Sequence, residues 1–127
     1  MPNSRQTRGT NFENTVALYL EREHGFRIVA RKYRVPLGSS SNRRRPWVEI
    51  DLLAEERGTS RLWLIEAKNH CDAASSTLPL VSRSQLARLM RALQSLRREH
   101  PGRQVFWALA WRNPSGGVEF RPNPCYF

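Results

Sequence analysis

Lysine is almost missing from this chain: of its 21 basic residues only Lys32 and Lys68 are lysine, the rest being arginine. Cysteine is scarce as well. Cys71 and Cys125 lie far apart, with no Cys-x-x-Cys or Cys/His cluster, which excludes a zinc site and a disulfide framework as organising features. There is no long apolar run, so a membrane-spanning helix is excluded, and the polar N-terminus does not read as a secretory signal. The expectation is a cytoplasmic protein. Acids are outnumbered, 11 against 21, giving a formal charge of +10 and a pI of about 11.1. A taste for arginine explains which cation is used but not the excess of cations, which points to a polyanionic partner, most simply nucleic acid. A membrane surface fits less well, because no basic amphipathic helix with a large apolar face stands apart. At 127 residues and 39% hydrophobic, the chain reads as one domain with a real core.

Periodicity orders that domain. Residues 1–8 read as a flexible basic arm carrying Arg5 and Arg8, followed by a single domain over 9–127. Phe12, Val16, Tyr19 and Leu20 recur at helical spacing, so a helix is expected from Gly9 to about His24, with Thr10 or Asn11 as its N-cap and Gly25 as its stop. A first strand runs from Phe26 to about Val35. Residues 37–46 form a basic loop without apolar anchors, containing Ser39, Arg43, Arg44 and Arg45. Trp47–Ala54 is a second strand, a turn around Gly58 follows, and Arg61–Lys68 is a third. After a polar stretch, a helix from Ser82 to Glu99 carries a core stripe of Leu86, Leu89, Leu93 and Leu96. Val105–Trp111 and Val118–Phe120 complete the set. The order α-β-β-β-α-β-β describes an α/β fold with one mixed sheet flanked by helices.

Against the scarcity of lysine, Leu62-Trp63-Leu64-Ile65-Glu66-Ala67-Lys68 stands out. An ammonium is a compact point charge with a tunable pKa, unlike the planar guanidinium that serves elsewhere in this chain. In a strand Glu66 and Lys68 share a face at the end of a largely buried ribbon, where charges cost desolvation energy and suggest a site. Lys32 has no such setting. Glu49 and Asp51 share a face of the second strand, and a hairpin about Gly58 would put Asp51 opposite, or diagonal to, Glu66. Carboxylates that converge in a buried place repel unless protonated or bound to a cation. Such an oxygen-rich pocket suits Mg²⁺ or Mn²⁺, and Lys68 beside it could orient or help deprotonate a water. The structural alternative is a Glu66–Lys68 salt bridge. Arg83, Arg88, Arg91, Arg97 and Arg98 read singly as a solvated helix face, and Trp63, Trp107 and Trp111 as core or dimer interface. His24, His70 and His100 read as surface or capping residues.

Asp51, a hairpin and Glu66-Ala67-Lys68 resemble the PD-(D/E)xK nuclease signature, with Ile50 in place of the motif's proline. Arg8-Gly9-Thr10-Asn11-Phe12-Glu13, Gly38-Ser39 with its basic run, Val81-Ser82-Arg83-Ser84-Gln85 and Val118-Glu119-Phe120-Arg121-Pro122 resemble, in order, segments of archaeal-type Holliday junction resolvases. The resemblance implies a restriction-endonuclease-like core and a Mg²⁺-dependent endonuclease, with Mn²⁺ able to substitute and no small-molecule cofactor. It implies Glu13, Asp51 and Glu66 as metal ligands, Lys68 as assistant to the attacking water, Ser39 at the phosphate and Gln85 in support. Arg5, Arg8, Arg43, Arg44, Arg45 and Arg83 would meet DNA, and symmetric nicking of a four-way junction in recombination or repair implies a homodimer. The Ile50-Asp51 pair is also typical of a related small bacterial family and of restriction-type nucleases. The alternatives are therefore a restriction- or repair-type nuclease on duplex or flapped DNA, and a non-catalytic nucleic-acid-binding module of the same fold.

Overall fold

The computed structural model describes residues 4–37, 47–69 and 81–124, with side chains described from residue 11 onward. Its elements are α1 (Ser4–Glu23), β1 (Phe26–Pro36), β2 (Trp47–Glu56), β3 (Arg61–Lys68), α2 (Arg83–Glu99), β4 (Gln104–Arg112) and β5 (Val118–Pro122). This is the expected α-β-β-β-α-β-β order. The strands form one sheet in the order β1-β2-β3-β4-β5. The first three run as an antiparallel meander, β3 and β4 are parallel across the α2 crossover, and β5 returns antiparallel to β4. The sheet is therefore mixed.

Each helix covers one face of the sheet. Phe12, Val16, Ala17 and Leu20 of α1 pack on Leu52, Ala54, Ile65, Ala108 and Ala110. On the other face Leu89, Ala92, Leu93 and Leu96 of α2 pack on Ile50, Leu53, Leu62, Leu64 and Trp107. The expected leucine stripe is thus the buried stripe, with Leu86 at its partly exposed end. Strand β3 alternates cleanly between the two cores: Leu62 and Leu64 face α2, while Trp63 and Ile65 face α1. Trp63, Trp107 and Trp111 are all buried.

Helix α1 starts at Ser4, not Gly9, so Arg5 and Arg8 lie within the helix. Thr10 and Asn11 are interior positions rather than caps, and the Asn11 carbonyl accepts a bond from Thr15 Oγ1. Arg, Gln and Thr between Ser4 and Arg8 are compatible with helix, and the single Gly9 costs only about 1 kcal/mol relative to alanine. Gly25 does end the helix, at a φ of 64° that only glycine adopts freely. Helix α2 is entered through Ser82, whose side chain accepts from the Gln85 amide while Gln85 Oε1 accepts from the Ser82 amide, a reciprocal capping box. Arg97, read as part of a solvated face, instead donates twice to the Val105 carbonyl and ties α2 to β4.

On β1 a bulge between Ile28 and Ala30 shifts the register and moves the chain from the α1 face to the α2 face, and a further break in the alternation is shared by β1 and β2. Ile50 faces α2 whereas Leu52, two residues on, faces α1. On β1, Tyr33 and Ala30 both face α2 despite their odd spacing. These two departures, one on each strand, span the register position shared by Lys32 and Asp51, between the pairs Arg31↔Leu52 and Tyr33↔Ile50. Lys32 has a φ of 51°, in the left-handed region, at a cost of roughly 1–2 kcal/mol for a residue with a Cβ. The strands exchange faces at this point.

Leu64 is fully buried between the sheet and α2. Leu64→Ala should lower the unfolding free energy by about 2–5 kcal/mol, measured by urea titration. A loss below about 1 kcal/mol would mean that this face is not close-packed.

Candidate active site

The site begins where the β2–β3 ladder ends. Backbone pairing runs from Glu55↔Leu62 to Leu52↔Ile65, yet β2 extends back to Trp47 and β3 forward to Lys68. Beyond the last pair the strands separate, and two carboxylates fill the fork. The Asp51 amide donates to Glu66 Oε1 at 3.2 Å, and the Ala67 amide donates to Asp51 Oδ2 at 2.8 Å. Each acid thus takes up an amide that a partner-strand carbonyl would hold in a continuous ladder. The expected approach of Asp51 and Glu66 is present, and its cause is this reciprocal exchange.

The pair is electrostatically costly. Burial, then the adjacent Asp51 charge, pushes the Glu66 carboxyl up to about 8, with Lys68 opposing only weakly. Its register partner on β4 is the fully buried Leu109, and that of Lys68 is Trp111. Lys68 forms no ion pair with Glu66 among the described residues, so the salt-bridge alternative is not what holds it. Instead Glu66 and Lys68 line a cavity of about 510 Å³ between the open ends of β2 and β3 and the start of α2, with Trp47, Glu49, Gln85 and Arg88.

Glu13 comes from α1, where the buried Phe12 beside it anchors the turn. Its Oε1 accepts from Lys32 Nζ at 2.9 Å. Burial raises the Glu13 carboxyl, the Lys32 bond opposes this, and the Asp51 carboxyl raises it further. Lys32 is itself held up by the bond to Glu13, with Asp51 and Glu49 contributing charge. The reading that gave Lys32 no setting is therefore corrected: Lys32 stands at Glu13 and Asp51, and Lys68 beside Glu66. The pattern missed this because Lys32 lies in an exposed-looking basic run, Arg31-Lys32-Tyr33-Arg34, and only the twist at its left-handed backbone turns it toward α1.

Of the other residues singled out, Gln85 lines the cavity and also caps α2, so its role is at least partly structural. Arg83 is exposed on the first turn of α2. Ser39, Arg43, Arg44, Arg45 and His70 lie outside the described residues, as do the side chains of Arg5 and Arg8. Two cavity residues were missed. Arg88 follows Gln85 at i+3, so helical spacing could have separated it from the other arginines. Trp47 is an exposed aromatic at the cavity, with the Arg34 guanidinium 4.3 Å over its ring; no sequence signal distinguished it from a strand-opening core residue.

The donor set is all oxygen, and the two carboxyl groups in a partly buried fork suit a hard, hydrated divalent cation such as Mg²⁺ or Mn²⁺. Among the described residues no three acidic, histidine or cysteine side chains are gathered as a ready-made shell. Asp51 and Glu66 fit such an ion; Glu13 is committed to Lys32.

Neutral Glu66 is the form the fold accepts, so its contribution to stability is present below the ordinary carboxyl value of 4.5 and is lost as pH rises through about 8. In chelator, the melting temperature should therefore decline across that window, and Glu66→Gln should flatten the decline. A flat wild-type profile would mean that Glu66 is solvated.

The residues assembled here lie within a recognised sequence family. Residues 12–106 match the model described as "Uncharacterised protein family UPF0102", a stretch that includes Glu13, Asp51, Glu66, Lys68 and Gln85. The chain is also 31% identical over 98 residues to a "UPF0102 protein" of Nitrobacter winogradskyi, covering 77% of this chain and 71% of that one. No helix among the described residues is long and apolar enough to cross a membrane. A match over most of the chain, together with the forked acids on a mixed five-stranded sheet, makes this protein a member of the UPF0102 family, within the restriction-endonuclease-like superfamily.

Proposed function

We propose that the protein is a Mg²⁺-dependent DNA endonuclease that hydrolyses phosphodiester bonds at branched DNA, four-way junctions foremost. The observation that carries this reading is the fork: two carboxylates locked by reciprocal amide bonds, with Lys68 on the same face and a cavity opening beside them. Neutral amide side chains could accept the same two main-chain bonds without repulsion, so the use of two acids here favours a bound cation. A bound divalent cation would neutralise that repulsion, draw charge from a phosphate oxygen and make water more acidic.

The chain's own groups supply the rest. Asp51 and Glu66 are preorganised, since each is fixed by a main-chain donor and neither must reorient when substrate arrives. Lys68 presents an ammonium from the same face as Glu66, in position to orient a water by donating to it. Arg88, in the cavity wall, offers a guanidinium to a phosphate. The formal charge of +10 supports binding to the DNA backbone. A junction has two-fold symmetry, and a homodimer would bring one such site to each of two strands.

Labelled four-way junctions, flaps and linear duplexes incubated side by side with Mg²⁺ test the substrate. Junction cleavage in excess of the others is expected; equal cleavage of duplex would assign the protein to the restriction or repair type. Asp51→Asn and Glu66→Gln should each abolish cleavage while DNA binding persists. Lys68→Arg should lose about 100-fold in rate, the low end of what a positioned proton-handling group contributes, despite conserving charge. Full activity in Lys68→Arg would show that only its charge matters.

A further inference from the structure

Lysine is so rare here that its second occurrence calls for a cause. Lys32 sits at the register position opposite Asp51 and adopts a backbone conformation unusual for a side chain of its size. Its ammonium reaches across to α1 and donates to Glu13 Oε1 at 2.9 Å. Glu13 is nearly buried, with its side chain 11% exposed, whereas that of Lys32 is 53% exposed. An ion pair so open to water on one side is worth little as a stabiliser. It does not offset the cost of the left-handed backbone, so stability alone does not account for the arrangement. What the contact does is put a positive charge on one of the acids near the fork. The Asp51 carboxyl stands beside both Glu13 and Glu66, so the three form a continuous acidic row. The ammonium caps one end of that row, and no three of the acids are gathered as one shell.

We propose that Lys32 is a built-in counter-cation that holds Glu13 out of the divalent-cation shell, so that the ammonium and the cation exclude one another at that carboxylate. The inference rests on the reading of Asp51 and Glu66 as a cation site and adds a regulator to it. Two carboxylates hold the ion weakly while Lys32 is seated; a third joins when it leaves. Lys32 is a positioning residue in this scheme, because it acts through Glu13 and not on the reacting atoms. A guanidinium would serve less well, since its broad planar fork matches both carboxylate oxygens and would not release one readily.

Mn²⁺ binding, followed through the paramagnetic resonance signal of free Mn²⁺ without DNA or turnover, tests this directly. Lys32→Asn and Lys32→Gly both suit the left-handed backbone and remove the ammonium. Either should tighten Mn²⁺ binding about tenfold, within the usual range of coupling between two bound species. Adding Glu13→Gln to Lys32→Asn should erase that gain. Equal affinity in the wild type and both Lys32 variants overturns the proposal and leaves the Asp51–Glu66 site standing. A gain that survives Glu13→Gln also overturns it, since Glu13 is then not the carboxylate released. Failure of every chain, wild type included, to bind Mn²⁺ overturns this proposal together with the cation-site reading beneath it.

Discussion

Where β2 and β3 part, two amides lose the carbonyl partners that a continued ladder would give them, and a half-buried amide without a partner costs free energy. Asp51 and Glu66 answer that need with their carboxylates, each accepting from the other strand. The bonds fix the two carboxyl groups side by side across the fork, where charge on Asp51 and burial oppose the ionisation of Glu66. The fork and the proposed cation site thus have one origin. The parting strands leave two amides that need side-chain acceptors, and those amides draw the two acids together.

The surrounding elements follow from that constraint. Leu52 and Ile65, the last ladder pair before the fork, are fully buried on the α1 face, and Leu64 seals the other. The core therefore ends within one residue of the charged groups, and this proximity is what raises Glu66. Helix α2 enters beside the opening through its capping box, so Gln85 and Arg88 reach the cavity from a turn that is itself anchored. Helix α1 approaches from the opposite face and delivers Glu13, already bound by Lys32.

Much of this was legible in the sequence, for identifiable reasons. The stripe Leu86, Leu89, Leu93 and Leu96 has only one sensible partner, a sheet face, and α2 lies on it. Gly58, with a φ of 77°, marks the hairpin that brings Asp51 to Glu66. The start of α1 was read too late, because Gly9 resembles a boundary while the polar residues before it carry no apolar period. The role of Lys32 was missed for a deeper reason. Period-two reasoning assumes that a strand keeps its faces, and here β1 and β2 exchange theirs at Lys32 and Asp51. A positive φ at lysine leaves no mark in the sequence, and neither does a twist set by strands that must part.

The proposed cation site requires Glu66 to be an acid kept from water beside Asp51. Carbon-13 NMR of the Glu66 side-chain carboxyl, followed across pH with and without Mg²⁺, reads that state at the atom itself. Without the ion it should titrate near 8, and saturating Mg²⁺ should bring its ionisation well below neutrality. Titration near the ordinary 4.5, unmoved by Mg²⁺, would contradict the account and leave the fork as a hydrogen-bonding device with no cation to hold.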